Sequence, residues 1–420
     1  MVFISLGSNL GNRLHNLWQA VEFIKQNCLR NVRCSIVLET KAILPEGAPL
    51  SWNKPFLNMI ISGETNLSPE ELLKSLLEIE NLMGRVRDSK IKWSPRIIDL
   101  DILFYKDLKL NLPNLIIPHP EINNRNFLGH LLSSMGLSLW KNHYFKDSFF
   151  RTLTLSPRLV GILNVTKDSF SDGGNFYKLD DAVNHVIKLS EDGASVIDIG
   201  AQSTRPGAII SPWKEEYVKL QEILNVLNPL LDDGTLHISI DTFQVPIIKN
   251  LLKKYKISWI NDVKGSLDDD TLRLIADSGC KLCVMHSLSI PASKDKVLPL
   301  NVDPMNLILD WGQFYLDKLV RLGFSLENII LDPGIGFGKT AWQNISLLKC
   351  IKRLKELGVL ILLGHSRKSY MEAFCRKQAA KRDLETIAMS LIVKEKVDFL
   401  RVHNVRDHMR SFVAQHILEH

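Results

Sequence analysis

The sequence predicts a two-domain protein whose larger, C-terminal domain is an α/β barrel of eight strands. At 420 residues the chain is too long for one ordinary domain. From Leu159 onward, short apolar runs recur, each with polar residues at its C-terminal end and most separated by a helical pattern. These runs are 160–164, 195–200, 238–242, 259–263, 282–286, 329–333, 360–366 and 399–404. A (β/α)₈ barrel has this alternation and carries its chemistry where the strands end.

A doubly wound open sheet is the alternative for this half, because it also alternates strands with helices and binds ligands at strand ends. A barrel typically needs about 250 residues, and the chain from Leu159 to its C-terminus supplies enough. We therefore prefer the barrel. Residues 145–157 lack periodicity and are interpreted as a short connector, so the predicted domains are residues 1–150 and 151–420.

Composition excludes few classes of protein but sets useful bounds. The apolar fraction of 45% and the charged fraction of 23% are typical of a soluble globular protein. The net charge of +6 comes from dispersed Lys and Arg, so we predict anionic small-molecule substrates rather than nucleic acid. We predict no signal peptide and no membrane span. The six cysteines are sparse and indicate the cytoplasm, with Cys280 and Cys283 as core thiols rather than a metal pair.

The N-terminal region is predicted to contain short strands and helices. Phe3 to Leu6 is a predicted strand, and the Gly7–Asn12 turn leads into an amphipathic stretch. Further strands are predicted at 37–39 and 56–62. Pro69 to Leu82 is a predicted helix, because Ser68 can cap it, proline suits the first turn and leucines recur at helical spacing.

A strand at 97–104 carries the most informative chemistry of this half. Asp99 and Asp101 would share one face, because side chains alternate along a strand. Two carboxylates on an otherwise apolar face repel each other unless a cation is present, and Mg²⁺ binds carboxylate and phosphate oxygens. Nearby cationic and aromatic side chains suit nucleotide phosphates; they are Arg85, Arg87, Trp93, Arg96, His119 and Arg125. This assembly predicts phosphoryl-group transfer from a magnesium-bound nucleotide.

Residues 1 to about 145 resemble the 6-hydroxymethyl-7,8-dihydropterin pyrophosphokinases, through Gly7–Gly11, Phe56–Asn58, the Arg85–Asp101 block and Ile117–Phe127. The resemblance implies a ferredoxin-like α+β fold and pyrophosphate transfer from ATP to a pterin hydroxymethyl group. It implies Mg²⁺ ligation by Asp99 and Asp101, and contacts with ATP from Glu80, Arg85, Arg87, Trp93, Arg96, His119 and Arg125. Phe56, Asn58 and Phe127 would form the pterin slot. The loop from Thr40 to Trp52 departs from the family pattern.

The barrel half combines acidic and basic side chains at its strand ends. Asp198, Asp241, Asn261 and Asp332 would form an acid-rich floor suited to a heterocycle with several N–H donors. Lys368, Arg401, His403 and the loop Ser203–Pro206 would form a pocket for a leaving phosphate. The glycine-rich stretch 334–340 fails the Walker A pattern at Pro333. Its glycines would instead let backbone approach a flat ligand, with Phe337 available for stacking.

Residues from about 158 to 420 resemble the dihydropteroate synthases, chiefly through Gly161–Gly174 and Asp198–Gly207. The family joins p-aminobenzoate to dihydropterin pyrophosphate and releases pyrophosphate. The resemblance implies pterin binding by Asp241, Asn261, Asp332 and Lys368, and Mg²⁺ ligation by Asn164. It implies p-aminobenzoate or pyrophosphate contacts from Phe170, Thr204, Arg205, Pro206, Phe337, Ser366, Arg401 and His403. Lys167, His365 and Tyr370 depart from the family pattern.

Together these resemblances predict an enzyme performing two consecutive steps of folate biosynthesis, with Mg²⁺ in both domains and ATP as a substrate. Arg85, Arg96, Asp99, Asp101, Lys368, Arg401 and His403 are the predicted catalytic residues. Sulfonamides are expected inhibitors, and a homo-oligomer through the barrel is one option. Two alternatives stay open at this point. The barrel could be a pterin-dependent methyltransferase, or one half could be a non-catalytic pterin-binding module.

Overall fold

The computed structural model describes residues 1–42, 44, 47–85, 94–122, 124–136, 152–165, 179–202, 210–293 and 295–419. The chain forms two compact units: Met1–Leu155 with Met409–His420, and Ser156–His408. The predicted boundary between residues 150 and 151 lies outside the described residues. Within the described ranges, every helix is too short or too polar to span a lipid bilayer.

The first unit is an antiparallel sheet covered by helices, the ferredoxin-like α+β arrangement that the sequence predicts. Its described strands form a six-stranded sheet in the order β5-β1-β4-β3-β8, with β2 also paired to β4. The elements are β1 (Val2–Ser8), α1 (Arg13–Asn27), β2 (Arg30–Cys34), β3 (Val37–Thr40), β4 (Phe56–Glu64), α2 (Pro69–Leu82), β5 (Asp99–Tyr105), β6 (Leu110–Leu112), β7 (Leu115–Ile117), α3 (Asn126–Ser133) and β8 (Thr152–Leu153).

The predicted helix at 69–82 is confirmed, and its capping explains its start. Ser68 accepts a hydrogen bond from the backbone of Glu71, whose side chain accepts one from the backbone of Ser68. This capping box satisfies two N–H groups that the first helical turn cannot. Helix α1 contacts the central strands β1 and β4, and helix α2 contacts the edge strand β5. Leu128, Leu131 and Leu132 of α3 pack with Ile60 and Leu103. Because side chains alternate, the face that meets α3 also carries Asn58, Asp99 and Asp101.

The second unit contains a closed barrel of eight parallel strands, so the barrel prediction is confirmed and the open sheet is wrong. The barrel order follows the sequence, from β9 through β16 and back to β9. The strands are β9 (Arg158–Asn164), β10 (Ala194–Gly200), β11 (Ile238–Asp241), β12 (Trp259–Asp262), β13 (Lys281–Met285), β14 (Ile329–Asp332), β15 (Leu360–Leu363) and β16 (Phe399–Val402). The described helices are α4 (Leu179–Glu191), α5 (Trp213–Asp232), α6 (Val245–Lys254), α7 (Asp269–Asp277), α8 (Pro304–Arg321), α9 (Ala341–Lys349), α10 (Asp383–Val393) and α11 (Val405–Glu419).

Large side chains fill the barrel interior below the strand ends. Val160, Trp259, Cys283 and Phe399 belong to one buried cluster, in which the rings of Trp259 and Phe399 meet edge to face at 4.7 Å. Cys283 is fully buried and Cys280 nearly so, and neither is in a disulfide, which confirms them as core thiols. Since the lower barrel is packed, the polar residues at the carboxyl ends of the strands form the accessible mouth.

Candidate active sites

The first site lies at the start of β5, where the two predicted metal ligands share one face. Arg85 Nη1 donates to Asp99 Oδ1 at 2.5 Å, and Arg96 Nη1 donates to Asp99 Oδ2 at 3.1 Å. Charge-assisted pairs of this kind are strong and directional. The structure therefore brings Arg85, Arg96, Asp99 and Asp101 together, as the spacing predicts.

Glu80 connects α2 to this site from the other side of β5. Its side chain is fully buried, and Oε1 accepts the backbone N–H of Leu100 at 2.8 Å. The same oxygen accepts a hydrogen bond from Arg85. Because β5 is an edge strand, Glu80 satisfies an N–H that points away from β1. Glu80 therefore holds the edge of the sheet and the Arg85 guanidinium in one place.

The electrostatics of the carboxylate pair suit a divalent cation. Burial first, and the charge of Asp99 second, raise the pKa of Asp101 to about 7, against the opposing effect of Arg125. Burial lowers the pKa of His119, as does Arg125. Two repelling carboxylates fit Mg²⁺, which would relieve the repulsion. Within the described part of the chain, no group of three or more His, Cys, Asp or Glu side chains could hold a metal ion. Mg²⁺ typically takes one or two carboxylates and completes its coordination with waters and phosphate oxygens.

Gly7 forms the floor between the predicted pterin slot and the carboxylates. It faces Asn58 on β4 and Asp99 on β5 in the antiparallel register. A Cβ at this position would lie 3.2 Å from Asn58 Oδ1 and 3.6 Å from the ring of Phe56. Asn58 Nδ2 donates to Thr40 Oγ1 at 2.9 Å, which fixes the orientation of the amide. Phe127 lies on the same face, against the apolar cluster under α3.

Two residues to which the sequence assigned no role, Asn9 and Arg13, anchor the polypeptide around this slot. Asn9 Oδ1 accepts the backbone N–H of Arg96 at 2.7 Å, and its Nδ2 donates to the carbonyl of Lys54 at 3.3 Å. Arg13 donates to the carbonyl of Pro55 and pairs with Glu39, both at 2.7 Å. The only sequence signal for Asn9 was its place in the Gly7–Gly11 turn.

The second site is the barrel mouth, where Arg401 bridges two floor carboxylates. Its Nε donates to Asp198 Oδ2 at 2.6 Å and its Nη2 donates to Asp241 Oδ2 at 2.9 Å. Asn261 Nδ2 donates to the same oxygen of Asp198 at 3.1 Å. Burial and Asp198 raise the pKa of Asp241 to about 7, while Arg401 opposes them. Among the described residues, Asp198 Oδ1 is buried and has no hydrogen-bond partner, so one acceptor of the floor is unsatisfied.

Asp332 and Lys368 lie beside this bridge, around Gly364. A Cβ at Gly364 would lie 3.1 Å from Asp332 Oδ2 and 3.8 Å from Lys368 Nζ. It would also lie 3.9 Å from Cδ of Arg401. Burial raises the pKa of Asp332 and lowers that of Lys368 to about 8, and each charge opposes the effect on the other. The predicted acid floor and the predicted cations therefore meet in one place.

The loop after β14 brings an aromatic ring to the same place. Lys368 Nζ lies 4.6 Å from the centroid of the Phe337 ring and donates to the carbonyl of Ile335 at 2.6 Å. Glycines at 334, 336 and 338 have φ values of 67°, 83° and 68°, which side-chain-bearing residues rarely adopt. The interpretation of this stretch as a close-approach loop rather than a Walker A loop fits this backbone.

Ser366 and His403 form a hydrogen-bonded pair at the ends of β15 and β16. Ser366 Oγ lies 3.0 Å from His403 Nδ1, and the backbone N–H of His403 donates to Ser366 Oγ at 3.4 Å. Since the hydroxyl accepts from that N–H, its proton is available to Nδ1. When the hydroxyl donates to Nδ1, the neutral imidazole carries its proton on Nε2. Arg401 and His403 were predicted to share a face, and both belong to this mouth.

Several predicted site residues lie outside the described residues, namely Arg87, Trp93, Phe170, Thr204, Arg205 and Pro206. Asn164, the predicted magnesium ligand of the barrel, is the last residue of β9 and is half-buried. It pairs in register with Gly200 at the end of β10. An amide oxygen at a strand end is a ligand of the type that Mg²⁺ accepts.

Family models match both units of the chain. A model for 7,8-dihydro-6-hydroxymethylpterin-pyrophosphokinase matches residues 3–136, and one for pterin binding enzymes matches residues 160–403. The folate synthesis bifunctional protein of Chlamydia muridarum is 37% identical over 98% of this chain and 97% of its own length. The chain belongs to the bifunctional folate-synthesis proteins. It is therefore an enzyme with a pyrophosphokinase domain and a dihydropteroate synthase domain.

Other relatives extend this assignment. The folate synthesis bifunctional protein of Arabidopsis thaliana is 32% identical over 97% of this chain and 94% of its own length. The crystal structure of dihydropteroate synthase from Anaplasma phagocytophilum, with bound 6-hydroxymethylpterin-monophosphate, has a TM-score of 0.56 and 34% identity; it covers 63% of this chain and 100% of its own. A dihydropteroate synthase from Yersinia pestis in complex with a sulfonamide drug has 32% identity and a TM-score of 0.56, and covers 63% of this chain and 96% of its own. The barrel of this bifunctional folate-synthesis protein thus has the synthase fold.

Proposed function

We propose that the first unit transfers the terminal diphosphate of ATP to 6-hydroxymethyl-7,8-dihydropterin. The barrel then joins the pterin product to p-aminobenzoate and releases pyrophosphate. One observation carries the proposal: Arg401 lies between Asp198 and Asp241, next to Asp332 and Lys368. That arrangement offers acceptors for the N–H groups of a pterin and donors for a diphosphate in a single mouth. The ligands named for the related structures agree with it.

In the first unit, we assign the two carboxylates on β5 to Mg²⁺ and the surrounding cations to the nucleotide. Mg²⁺ would neutralise the phosphate oxygens and align them with the pterin hydroxyl. Arg85 and Arg96 are already oriented by Asp99, which limits the entropy lost when they bind phosphate. The remaining ATP contacts are Glu80, Arg87, Trp93, His119 and Arg125. Phe56, Asn58 and Phe127 would hold the pterin over Gly7.

In the barrel, the reaction forms a C–N bond and breaks a C–O bond. The aniline nitrogen of p-aminobenzoate attacks the exocyclic methylene carbon of the pterin, and the C–O electron pair leaves with the diphosphate. The nitrogen then loses one proton. Arg401, Lys368 and the Nε2–H of His403 would stabilise the charge that develops on the leaving group. Because the aniline nitrogen is already nucleophilic, no strong enzyme base is required.

Specific contacts follow from the same assignment. Asp241, Asn261, Asp332 and Lys368 would bind the pterin ring, and Asn164 would contribute to a Mg²⁺ site for the diphosphate. Phe337 and Ser366 would shape the p-aminobenzoate pocket, which is supported by their contacts with Lys368 and His403 respectively. Phe170, Thr204, Arg205 and Pro206 are assigned to that pocket by family resemblance. Sulfonamides should compete with p-aminobenzoate, and cytoplasmic location and self-association through the barrel stay predictions.

The proposal is tested by supplying each step with its own substrates. With Mg²⁺, ATP and 6-hydroxymethyl-7,8-dihydropterin, the purified chain should form AMP and the pterin diphosphate. With pterin diphosphate and p-aminobenzoate, it should form dihydropteroate and pyrophosphate. Asp101→Asn should abolish the first reaction and spare the second. Absence of either product from the native chain, or loss of both through this one substitution, would contradict the assignment of one reaction to each unit.

A further inference from the structure

A buried chain of hydrogen bonds runs behind the Ser366–His403 pair. His365 Nε2 lies 2.9 Å from Ser390 Oγ on α10, and the same hydroxyl lies 3.1 Å from His408 Nε2 on α11. His408 Nδ1 lies 2.6 Å from the carbonyl oxygen of Asn404. At the other end, Tyr370 Oη lies 3.3 Å from His365 Nδ1. His365, Ser390 and His408 are each 0% exposed. His365 and Tyr370 are also two of the three positions where the sequence departs from the synthase pattern.

The chemistry of these groups fixes the direction of every hydrogen bond. A carbonyl oxygen only accepts, so His408 Nδ1 carries the proton, and its Nε2 must accept when the ring is neutral. The Ser390 hydroxyl therefore donates to His408 and accepts from His365 Nε2–H. His365 Nδ1 is then left to accept from Tyr370. Burial lowers the pKa of both imidazoles, that of His365 to about 3, which favours the neutral form of each ring.

This series of hydrogen bonds connects the segment that carries Ser366 to the segment that carries His403. His365 immediately precedes Ser366, and Asn404 immediately follows His403. A second path joins the same segments: Asn404 Nδ2 donates to Asp383 Oδ2 at 3.2 Å. Asp383 also accepts hydrogen bonds from Arg367 Nε and Nη2, at 2.6 and 2.7 Å. Two separate hydrogen-bonded paths therefore join residues 365–367 to residues 403–404 behind the mouth.

Ser390 is the central link, because its single hydroxyl serves both imidazoles at once. Without it, His365 and His408 would both lose the buried hydrogen bond that they make with this hydroxyl. We propose that Ser390 is a positioning residue of the synthase reaction. Through His365 and His408, it holds Ser366 and His403 at hydrogen-bonding distance from each other. This inference rests on the function proposed above. It concerns the diphosphate side of the mouth, because Asp241, Asn261 and Asp332 lie outside the chain of hydrogen bonds.

The test compares Ser390→Ala with Ser190→Ala in the full-length protein. Ser190 is a half-buried serine of α4, and it serves as the matched control. The synthase kcat of Ser390→Ala should fall about tenfold, since small displacements of positioned groups cost rate. Its KM for the pterin diphosphate should stay within twofold. The pyrophosphokinase activity of the same molecules should not change, which reports that the chain is intact. Ser190→Ala should match the native protein in every assay.

Imidazole NMR provides a second measurement that does not depend on activity. In the native protein, His365 should be the Nε2–H tautomer and His408 the Nδ1–H tautomer, distinguishable by their ring carbon and nitrogen shifts. The inference is overturned if the tautomers are the same or if either ring is charged at pH 7. It is equally overturned if Ser390→Ala keeps its synthase kcat within twofold, or if both activities fall in parallel. A native chain without synthase activity would instead reject the proposed function.

Discussion

Arg401 Nε donates to Asp198 Oδ2 across 2.6 Å, which joins the last strand of the barrel to its second strand beneath the mouth. Arg401 also reaches Asp241 at 2.9 Å. The two carboxylates repel each other, and the guanidinium between them offsets that repulsion with charge-assisted hydrogen bonds. A planar, forked cation can hold both carboxylates at once and still offer N–H groups to an anion.

Replacing Arg401 with Lys should separate these roles, because an ammonium group has no rigid fork. Each charge-assisted hydrogen bond contributes roughly 1.5–3 kcal/mol, and a compact ammonium cannot reproduce the geometry of Nε and Nη2 toward the two carboxylates. We expect the synthase kcat/KM for the pterin diphosphate to fall roughly a hundredfold, since about 1.4 kcal/mol corresponds to a factor of ten. Steady-state kinetics measures this. Arg406→Lys, an exposed position on α11, is the matched control and should leave kcat/KM unchanged. An Arg401→Lys enzyme within fivefold of the native one would contradict the bridging role.

The strand ends could be predicted from sequence because each one combines two local signals. Asp241 and Asp332 each follow an apolar run of about strand length, so both the strand and its polar end are visible without any tertiary information. Parallel strands in a barrel then bring those ends together. The Asp99–Asp101 pair was predictable for a similar reason, since strand alternation alone puts both carboxylates on one face.

Contacts between distant segments could not be predicted in this way. Arg367 and Asp383 are joined by a bidentate pair, yet neither lies in a pattern that marks the other. Lys339 and His286 are separated by 53 positions and meet only because β13 and β14 are neighbours in the barrel. Asn9 was visible as part of a turn, but its hydrogen bonds to residues 54 and 96 depend on the folded sheet.

The buried Lys339 amino group should prove important for the stability of the barrel. Its Nζ lies 2.9 Å from His286 Nδ1 and donates to the carbonyls of Gly334 and Phe337 at 3.0 and 2.9 Å. Burial lowers the pKa of Lys339 to about 7 and that of His286 to about 3, so the neutral imidazole is an acceptor. Lys339→Met leaves these acceptors unpaired, which should cost about 3 kcal/mol.

Calorimetry should detect this loss as a fall of roughly 8 °C in the melting temperature of the barrel transition. The KM for p-aminobenzoate should rise as well, because the Phe337 carbonyl loses its anchor. Lys349→Met, an exposed lysine on α9, is the matched control, with an expected shift below 1 °C, about the value for an ordinary surface substitution. Equal melting temperatures for the two variants would contradict the proposed contribution of Lys339 to barrel stability.

Gly7→Ala should weaken pterin binding to the first unit without affecting the barrel. The added methyl group would lie 3.2 Å from Asn58 Oδ1 and 3.9 Å from Asp99 Cβ, on the floor of the slot. A flat ring could no longer approach the backbone there. We expect the KM for the hydroxymethylpterin to rise about tenfold, with the KM for ATP less affected and the synthase rate unchanged. An equal rise in both KM values would indicate a general distortion of the sheet rather than a blocked slot.

Binding of the preformed Mg²⁺–ATP complex should release a proton from Asp101 at acidic pH. The raised pKa, about 7, means that the carboxyl is mostly protonated at pH 6 and mostly ionised at pH 8.5. Since a metal ligand must be deprotonated, affinity should decrease as the pH falls through 7. Isothermal titration calorimetry in buffers of different ionisation enthalpy would count the protons: close to one at pH 6 and close to none at pH 8.5. Asp101→Asn should abolish the release, whereas Asp107→Asn, an exposed position just beyond β5, should retain it. Native protein releasing no proton at pH 6 would show that Asp101 is ionised before the metal arrives.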